Sequence, residues 1–172
     1  MKSIYLGGPF QFRYDGYTDE DLMDDYRSKI VGFDKFARGG DGSHPVRISE
    51  GVEYVGPFYF YDDEPTSDMI VRIEHGMVER CTDAFFLLDL NNNPGTLTEI
   101  VHATLTGKNV TIYYVRDVSD LAVMDMVYQS PQWYPITFAG IVCKNFDVRG
   151  FDTYDEAKSE LIKKVKEICL KF

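Results

Sequence analysis

The chain has 172 residues, 44% of them hydrophobic and 15% aromatic, enough for one domain with a sizeable core and not the composition of a disordered chain. A formal net charge of −10 argues against broad binding to nucleic-acid polymers or anionic membranes, which needs clustered Lys and Arg. A small substrate held in a pocket is not excluded.

In chain order, Ser3–Leu6 reads as a buried strand, and Gly7-Gly8-Pro9 as the loop leaving its carboxyl end. Paired glycines let a backbone approach a ligand or turn sharply, and the lysine and spacing of a phosphate loop are missing. Phe10, Phe12, Tyr14 and Tyr17 follow among polar and turn residues. They suit either a loop packed onto the domain or an aromatic lid over a planar ligand. Thr18 with Asp19, Glu20 and Asp21 signals a helix start. Leu22, Tyr26, Ile30, Phe33 and Ala37 predict that this helix runs unbroken to about Arg38. After the connection Gly39–Ser43, one parallel strand is expected at Val52–Val55, with Phe58–Tyr61 as its exit. Asp62, Asp63, Glu64 and Pro65 read as a solvated acidic loop. Ser67 opens a second helix, with Ile70, Ile73, Met77 and Val78 as its apolar stripe.

Residues 83–108 organise the rest. The short apolar run Ala84–Leu88, bounded by Asp83 and Asp89, suits a strand buried on both faces. Asn91, Asn92, Asn93, Pro94 and Gly95 break regularity. A helix with Leu97, Ile100, Val101 and Leu105 follows and stops at Gly107. This reading puts Glu99 on the first turn of that helix, at the carboxyl end of a parallel strand, where open α/β sheets bind ligands.

Val110–Val115 is a further strand and Asp120–Tyr128 a short helix. Ile136–Cys143 is apolar and reads as an additional strand or an oligomer contact, and Phe146–Phe151 as the last core strand. Thr153 and Glu156 form a capping box before a helix that turns Ala157, Leu161, Val165 and Ile168 inward. The alternation predicts one α/β domain over residues 1–172. It is doubly wound and flavodoxin-like (Rossmann-like), with a parallel sheet of about five strands and flanking helices.

Cys81, Cys143 and Cys169 are odd in number, widely spaced and free of any CxxC. They read as reduced core thiols of a cytoplasmic protein. No signal-peptide core and no apolar run of membrane-spanning length is expected. His44, His102 and the acidic clusters lack metal-ligand spacing, so neither metal nor cofactor is expected.

Two motifs, Ile4-Tyr5-Leu6-Gly7-Gly8-Pro9-Phe10 and Pro94-Gly95-Thr96-Leu97-Thr98-Glu99-Ile100 running on to Gly107-Lys108, resemble those of the nucleoside 2-deoxyribosyltransferase family, including its nucleotide N-glycosidase relatives. The resemblance covers most of the chain. It implies that Glu99 attacks the anomeric carbon of a 2′-deoxyribonucleoside and displaces the base. The covalent sugar then passes to another nucleobase, or to water, in the two-step logic of carboxylate nucleophiles.

It further implies that Tyr5 orients Glu99 through its hydroxyl, and that Gly8, Phe10, Phe12 and Gly95 border the nucleoside. Where the family places an acid that exchanges a proton with the base, this sequence has His75, with Glu74 beside it. Where transferases carry an Asp six residues before the nucleophile, it has Asn93. Asp125 matches a residue that a neighbouring subunit contributes, which implies a homo-oligomer, a dimer or larger. A hydrolase of the same ancestry, acting on a nucleoside 5′-monophosphate, would need a phosphate site, for which Arg13 is the available cation. A nucleotide-sensing module without turnover is the third reading.

Overall fold

A computed structural model describes residues 1–9, 18–37, 44–58, 67–89, 93–116 and 133–171. Six strands form one sheet. They are β1 (Lys2–Gly7), β2 (Val46–Ser49), β3 (Val52–Gly56), β4 (Asp83–Leu88), β5 (Asn109–Val115) and β6 (Phe146–Phe151). Their spatial order is β2-β3-β1-β4-β5-β6. Every pairing is parallel except that of β2 with β3. Without β2, the order is the doubly wound one of flavodoxin-like sheets. The expected fold is therefore present, with one strand more than the sequence suggested. The four-residue β2 forms a hairpin with β3 at the sheet edge. Its alternation, Val46-Arg47-Ile48-Ser49, spans only two periods, too few to mark a strand by themselves.

β4 is buried along its whole length, as its unbroken apolar run requires of a central parallel strand. At its amino end the Asp83 carboxylate accepts bonds from Lys2 Nζ and Asn109 Nδ2, each at 3.1 Å, tying together the starts of β1, β4 and β5. Helices α4 (Ser67–Arg80), α5 (Pro94–Leu105) and α6 (Trp133–Val142) pack side by side on one face. The other face carries α7 (Tyr154–Cys169), with α2 (Tyr26–Val31) packed against it. The capping box of α7 is present, with Thr153 Oγ1 and Glu156 N 3.2 Å apart. Ala157, Leu161 and Val165 are its fully buried residues.

Three expectations are corrected. The helix expected from Thr18 to Arg38 is three short ones: α1 (Asp19–Asp24), α2, and α3 (Phe33–Ala37). Asp25 leaves the helical region with ψ 135° and its carboxylate caps the Arg27 amide at 2.8 Å. Such a side chain competes with the i−4 ladder for backbone donors. Gly32 makes the second break at φ 96°, a conformation glycine adopts without a Cβ penalty.

Secondly, residues 136–143 lie largely within helix α6 and not in the strand that was one of the two expectations for them. Continuous apolar runs carry no period by which to choose. Pro135 falls in the first turn of α6, where no amide is missed. Thirdly, α4 is rotated relative to the expected stripe. Met77 and Val78 are buried, but Ile73 is 36% exposed and Glu74 is half-buried. The helix expected at 120–128 lies outside the described residues. Among the described residues no helix is long and apolar enough to cross a membrane.

Candidate active site

β1 and β4 lie side by side with Tyr5 opposite Ala84 and Gly7 opposite Phe86. The chain leaves β1 toward β3 on one side and later takes up β4 on the other, so the topological switch point falls between them. Open α/β sheets form their ligand crevice there. Two segments meet at this point: Gly7-Gly8-Pro9, leaving β1, and the start of α5, which follows β4 in the chain.

α5 begins at Pro94, a residue suited to the first helical position. The Asn93 side chain does not cap the helix; its amide donates to Asp89 Oδ1 at 2.6 Å. Glu99 therefore stands on the second turn rather than the first, beyond the main reach of the helix dipole. It belongs to the inward face with Thr96, Leu97, Ile100, Ala103 and Thr104. Glu99 is only 6% exposed. A carboxyl so placed must be paired or protonated.

Its neighbours come from three elements. Gly7 of β1 backs directly onto it: a Cβ added there would lie 2.9 Å from Glu99 Oε2 and 2.5 Å from the Phe86 ring. The Tyr5 hydroxyl faces the carboxyl and couples to it. That hydroxyl is buried without a partner of good hydrogen-bond geometry. Glu74 of α4 shares a hydrogen bond with Glu99. Arg27 of α2 adds a positive field.

Burial, followed by the Glu74 charge, pushes the Glu99 carboxyl up from 4.5 to about 8, while Tyr5 and Arg27 pull it down. Glu74 is raised as well, chiefly by burial, with its bond to Glu99 and the Arg27 charge opposing. Two such carboxyls share one proton near neutral pH and titrate as a pair. Tyr5 is raised well above 10, first by burial and then by Glu99, so it remains a donor. The pair can thus supply a carboxylate and a carboxylic acid side by side.

The expected site residues are distributed as follows. Tyr5 and Glu99 come together. His75 does not join them: its ring stacks on His102 with centroids 4.3 Å apart, and His102 Nε2 lies 3.2 Å from Glu79 Oε1. Glu74, its neighbour in sequence, faces Glu99 instead. Gly8 lies close under β4, where an added Cβ would come within 3.0 Å of the Leu87 carbonyl oxygen. Gly95 is sterically open, with nothing within 4 Å of such an atom. Phe10, Phe12, Arg13 and Asp125 lie outside the described residues.

Glu74 had a signal in the sequence. It falls at helical spacing between Ile70 and the buried pair Met77 and Val78, so a charged residue interrupts an apolar face. Glu74→Gln is expected to lower kcat by about a hundredfold, whereas His75→Asn leaves it within about threefold. Steady-state rates of the two variants decide this. Equal losses would return His75 to the site.

Among the described residues no group of His, Cys, Asp and Glu could hold a metal ion. No protein-family model matches the chain, and no curated protein matches it. The structure of the CMP N-glycosidase BcmB from Clostridium botulinum is similar over 95% of this chain and 99% of that one, with a TM-score of 0.48 and 12% identity. A conserved protein from Enterococcus faecalis V583 is similar over 97% of this chain and 98% of that one, at 0.49 and 14%. Likenesses this remote do not bear on the chemistry. The fold and the site geometry themselves define an α/β protein with a buried carboxyl pair at its switch point.

Proposed function

We propose that the protein cleaves the N-glycosidic bond of a 2′-deoxyribonucleoside through a covalent glycosyl-Glu99 and transfers the deoxyribose to another base. The observation that carries this reading is the buried Glu99–Glu74 pair beside Tyr5 at the switch point. The motif resemblance around Tyr5 and Glu99 supports the same roles.

The shared proton rests on Glu99, held there by burial and the Glu74 charge; its transfer to Glu74 gives the productive arrangement, with Glu99 ionised and Glu74 protonated. Glu99 attacks C1′ of the sugar and the C1′–N bond breaks. The bond electrons go to the departing base, which takes the proton of Glu74. A second base then displaces Glu99 from C1′ and returns a proton to Glu74, so the configuration at the sugar is retained. The Tyr5 hydroxyl steadies the carboxylate before attack and the carboxyl oxygen as it leaves. Its lack of a well-formed bond suits a contact that tightens only when substrate is bound.

A second reading is hydrolysis of a nucleoside 5′-monophosphate, with water in place of the second base. Asn93 favours it, because a neutral amide stands where transferases carry an acid and is bound to Asp89 at 2.6 Å. The test is chromatography of the protein with thymidine plus adenine, beside deoxycytidine monophosphate alone. Deoxyadenosine is the expected product. Free cytosine and sugar phosphate without exchange would select hydrolysis, and no product in either reaction would leave a binding module.

A further inference from the structure

Arg27 is fully buried, a rare place for a guanidinium. Its donors are turned onto the backbone that leaves β1. Nε bonds the Leu6 carbonyl at 3.2 Å, and Nη2 reaches those of Gly8 at 3.0 Å and Pro9 at 3.4 Å. Nη1 pairs with the Asp25 carboxylate at 3.2 Å. The adjacent Tyr26 hydroxyl lies 2.9 Å from the carbonyls of both Leu6 and Gly7. Two neighbouring side chains therefore hold four successive carbonyls, from Leu6 to Pro9. The rings of Tyr26 and Phe36 lie against the guanidinium, 4.8 and 5.7 Å from its carbon. The break in the helix at Asp25 makes this possible, because the same carboxylate caps the Arg27 amide and pairs with its side chain.

A buried ion pair is a weak source of net stability compared with apolar groups of the same volume, so stability does not account for a charge here. Geometry does. The loop that Arg27 grips is the one whose Gly7 abuts Glu99 Oε2. We propose that Arg27 is a positioning residue for Glu99: it fixes the exit of β1 so that the Gly7 backbone seats the carboxyl, and it brings a buried positive charge to the neighbouring Glu74 and Glu99. The proposal rests on Glu99 being the nucleophile.

The groups facing Glu99 are Glu74 from α4, Tyr5 from β1 and Arg27 from α2. Arg27 in turn faces Asp25, Tyr26 and Tyr54 of β3, and its field reaches Tyr154 of α7. Burial holds all four tyrosines well above neutral pH, so the charges that change in the working range are those of the two glutamates. Removing the Arg27 charge takes away an influence that lowers both of them. Their proton is then held to higher pH.

The experiment combines steady-state rates against pH with a ¹³C titration of labelled glutamate carboxyls, the Glu99 resonance being assigned by its loss in Glu99→Gln. In Arg27→Met the Glu99 midpoint is expected to rise by about one pH unit. In Arg27→Lys, which keeps charge without the planar fork, the midpoint stays near that of the wild type. In both, kcat falls roughly tenfold or more while KM changes little, as expected for a misplaced nucleophile. Tyr26→Phe is the milder variant if Arg27→Met does not fold: it removes the bonds to Leu6 and Gly7 without altering charge, and should lower kcat at an unmoved midpoint. The titration needs no substrate, so turnover retained by Glu99→Gln would strike at the nucleophile separately. An unmoved Glu99 midpoint in a folded Arg27→Met, or full kcat in Tyr26→Phe, would overturn the proposal.

Discussion

Glu99→Gln is expected to lower kcat/KM by about 10³-fold or more and, at the same time, to make the protein more stable at pH 8. The first effect follows from the proposed role of Glu99 as the nucleophile, which a side-chain amide does not perform. The second follows from proton linkage. Burial and Glu74 hold the Glu99 carboxyl up at about 8, against a usual value of 4.5. Below about pH 4.5 the folded and unfolded chains both carry this proton. As pH rises, the unfolded chain releases it first, so stability declines until the folded carboxyl also ionises near pH 8 and the curve levels off. The decline across that window is on the order of a few kcal/mol.

An amide at this position carries no such dependence. Calorimetry at pH 5 and pH 8 should therefore show a wild-type melting temperature that drops, and a variant whose temperature drops less. The gap at pH 8 is on the order of 5 °C. Identical pH dependence in the two proteins would remove the case for a buried, protonated Glu99. Active sites commonly hold such strained charges at the expense of stability.

Gly7→Ala is expected to lower kcat by about a hundredfold and to destabilise the fold by about 1–3 kcal/mol. The added methyl would lie 2.5 and 2.6 Å from two carbons of the Phe86 ring and 2.9 Å from Glu99 Oε2. Phe86 is fully buried in the central strand, so the ring has little freedom to retreat. The strain falls on the carboxyl or on the loop held by Arg27 and Tyr26. Gly95 makes the contrast, since an added Cβ there meets nothing within 4 Å. A denaturation curve and a kcat measurement on Gly7→Ala test both halves. Unchanged values would mean that the β1 exit is softer than its five side-chain bonds indicate.

The central part of the fold was legible because its signals are local. The run from Ala84 to Leu88 between two aspartates marks β4, observed as Asp83–Leu88. Gly107 follows the end of α5, where its amide and that of Lys108 bond back to Thr104 and Ala103 at 3.1 and 3.0 Å. What failed was decided by tertiary partners. The break at Asp25 lets Arg27 reach the exit of β1, a need that no spacing within residues 18–38 records, and Gly32 makes its own break at φ 96°.

The apolar run of α6 had no period to read. β2 exists only as a partner for β3. The motifs named Tyr5 and Glu99, which the structure brings together, whereas Glu74 was passed over for His75 because an aligned position was preferred to helical phase. Counting from Ile70 to Met77 would have favoured Glu74. Arg27 offered no signal, since an arginine in a short polar helix reads as a surface residue.

The switch point also governs when the pocket comes into being during folding. Its two halves are joined by bonds such as that from the Ser3 amide to Thr82 Oγ1, 79 positions apart in sequence. Parallel pairing over such separations closes a long loop before it gains contacts, so it forms late and cooperatively. Neither strand alone holds a half-built site: Gly7 abuts Glu99 only once β1 lies against β4. Loss of the Tyr5–Glu99 neighbourhood and global unfolding are therefore one event, and amide exchange at Leu6 and Leu87 reports the stability of the whole domain.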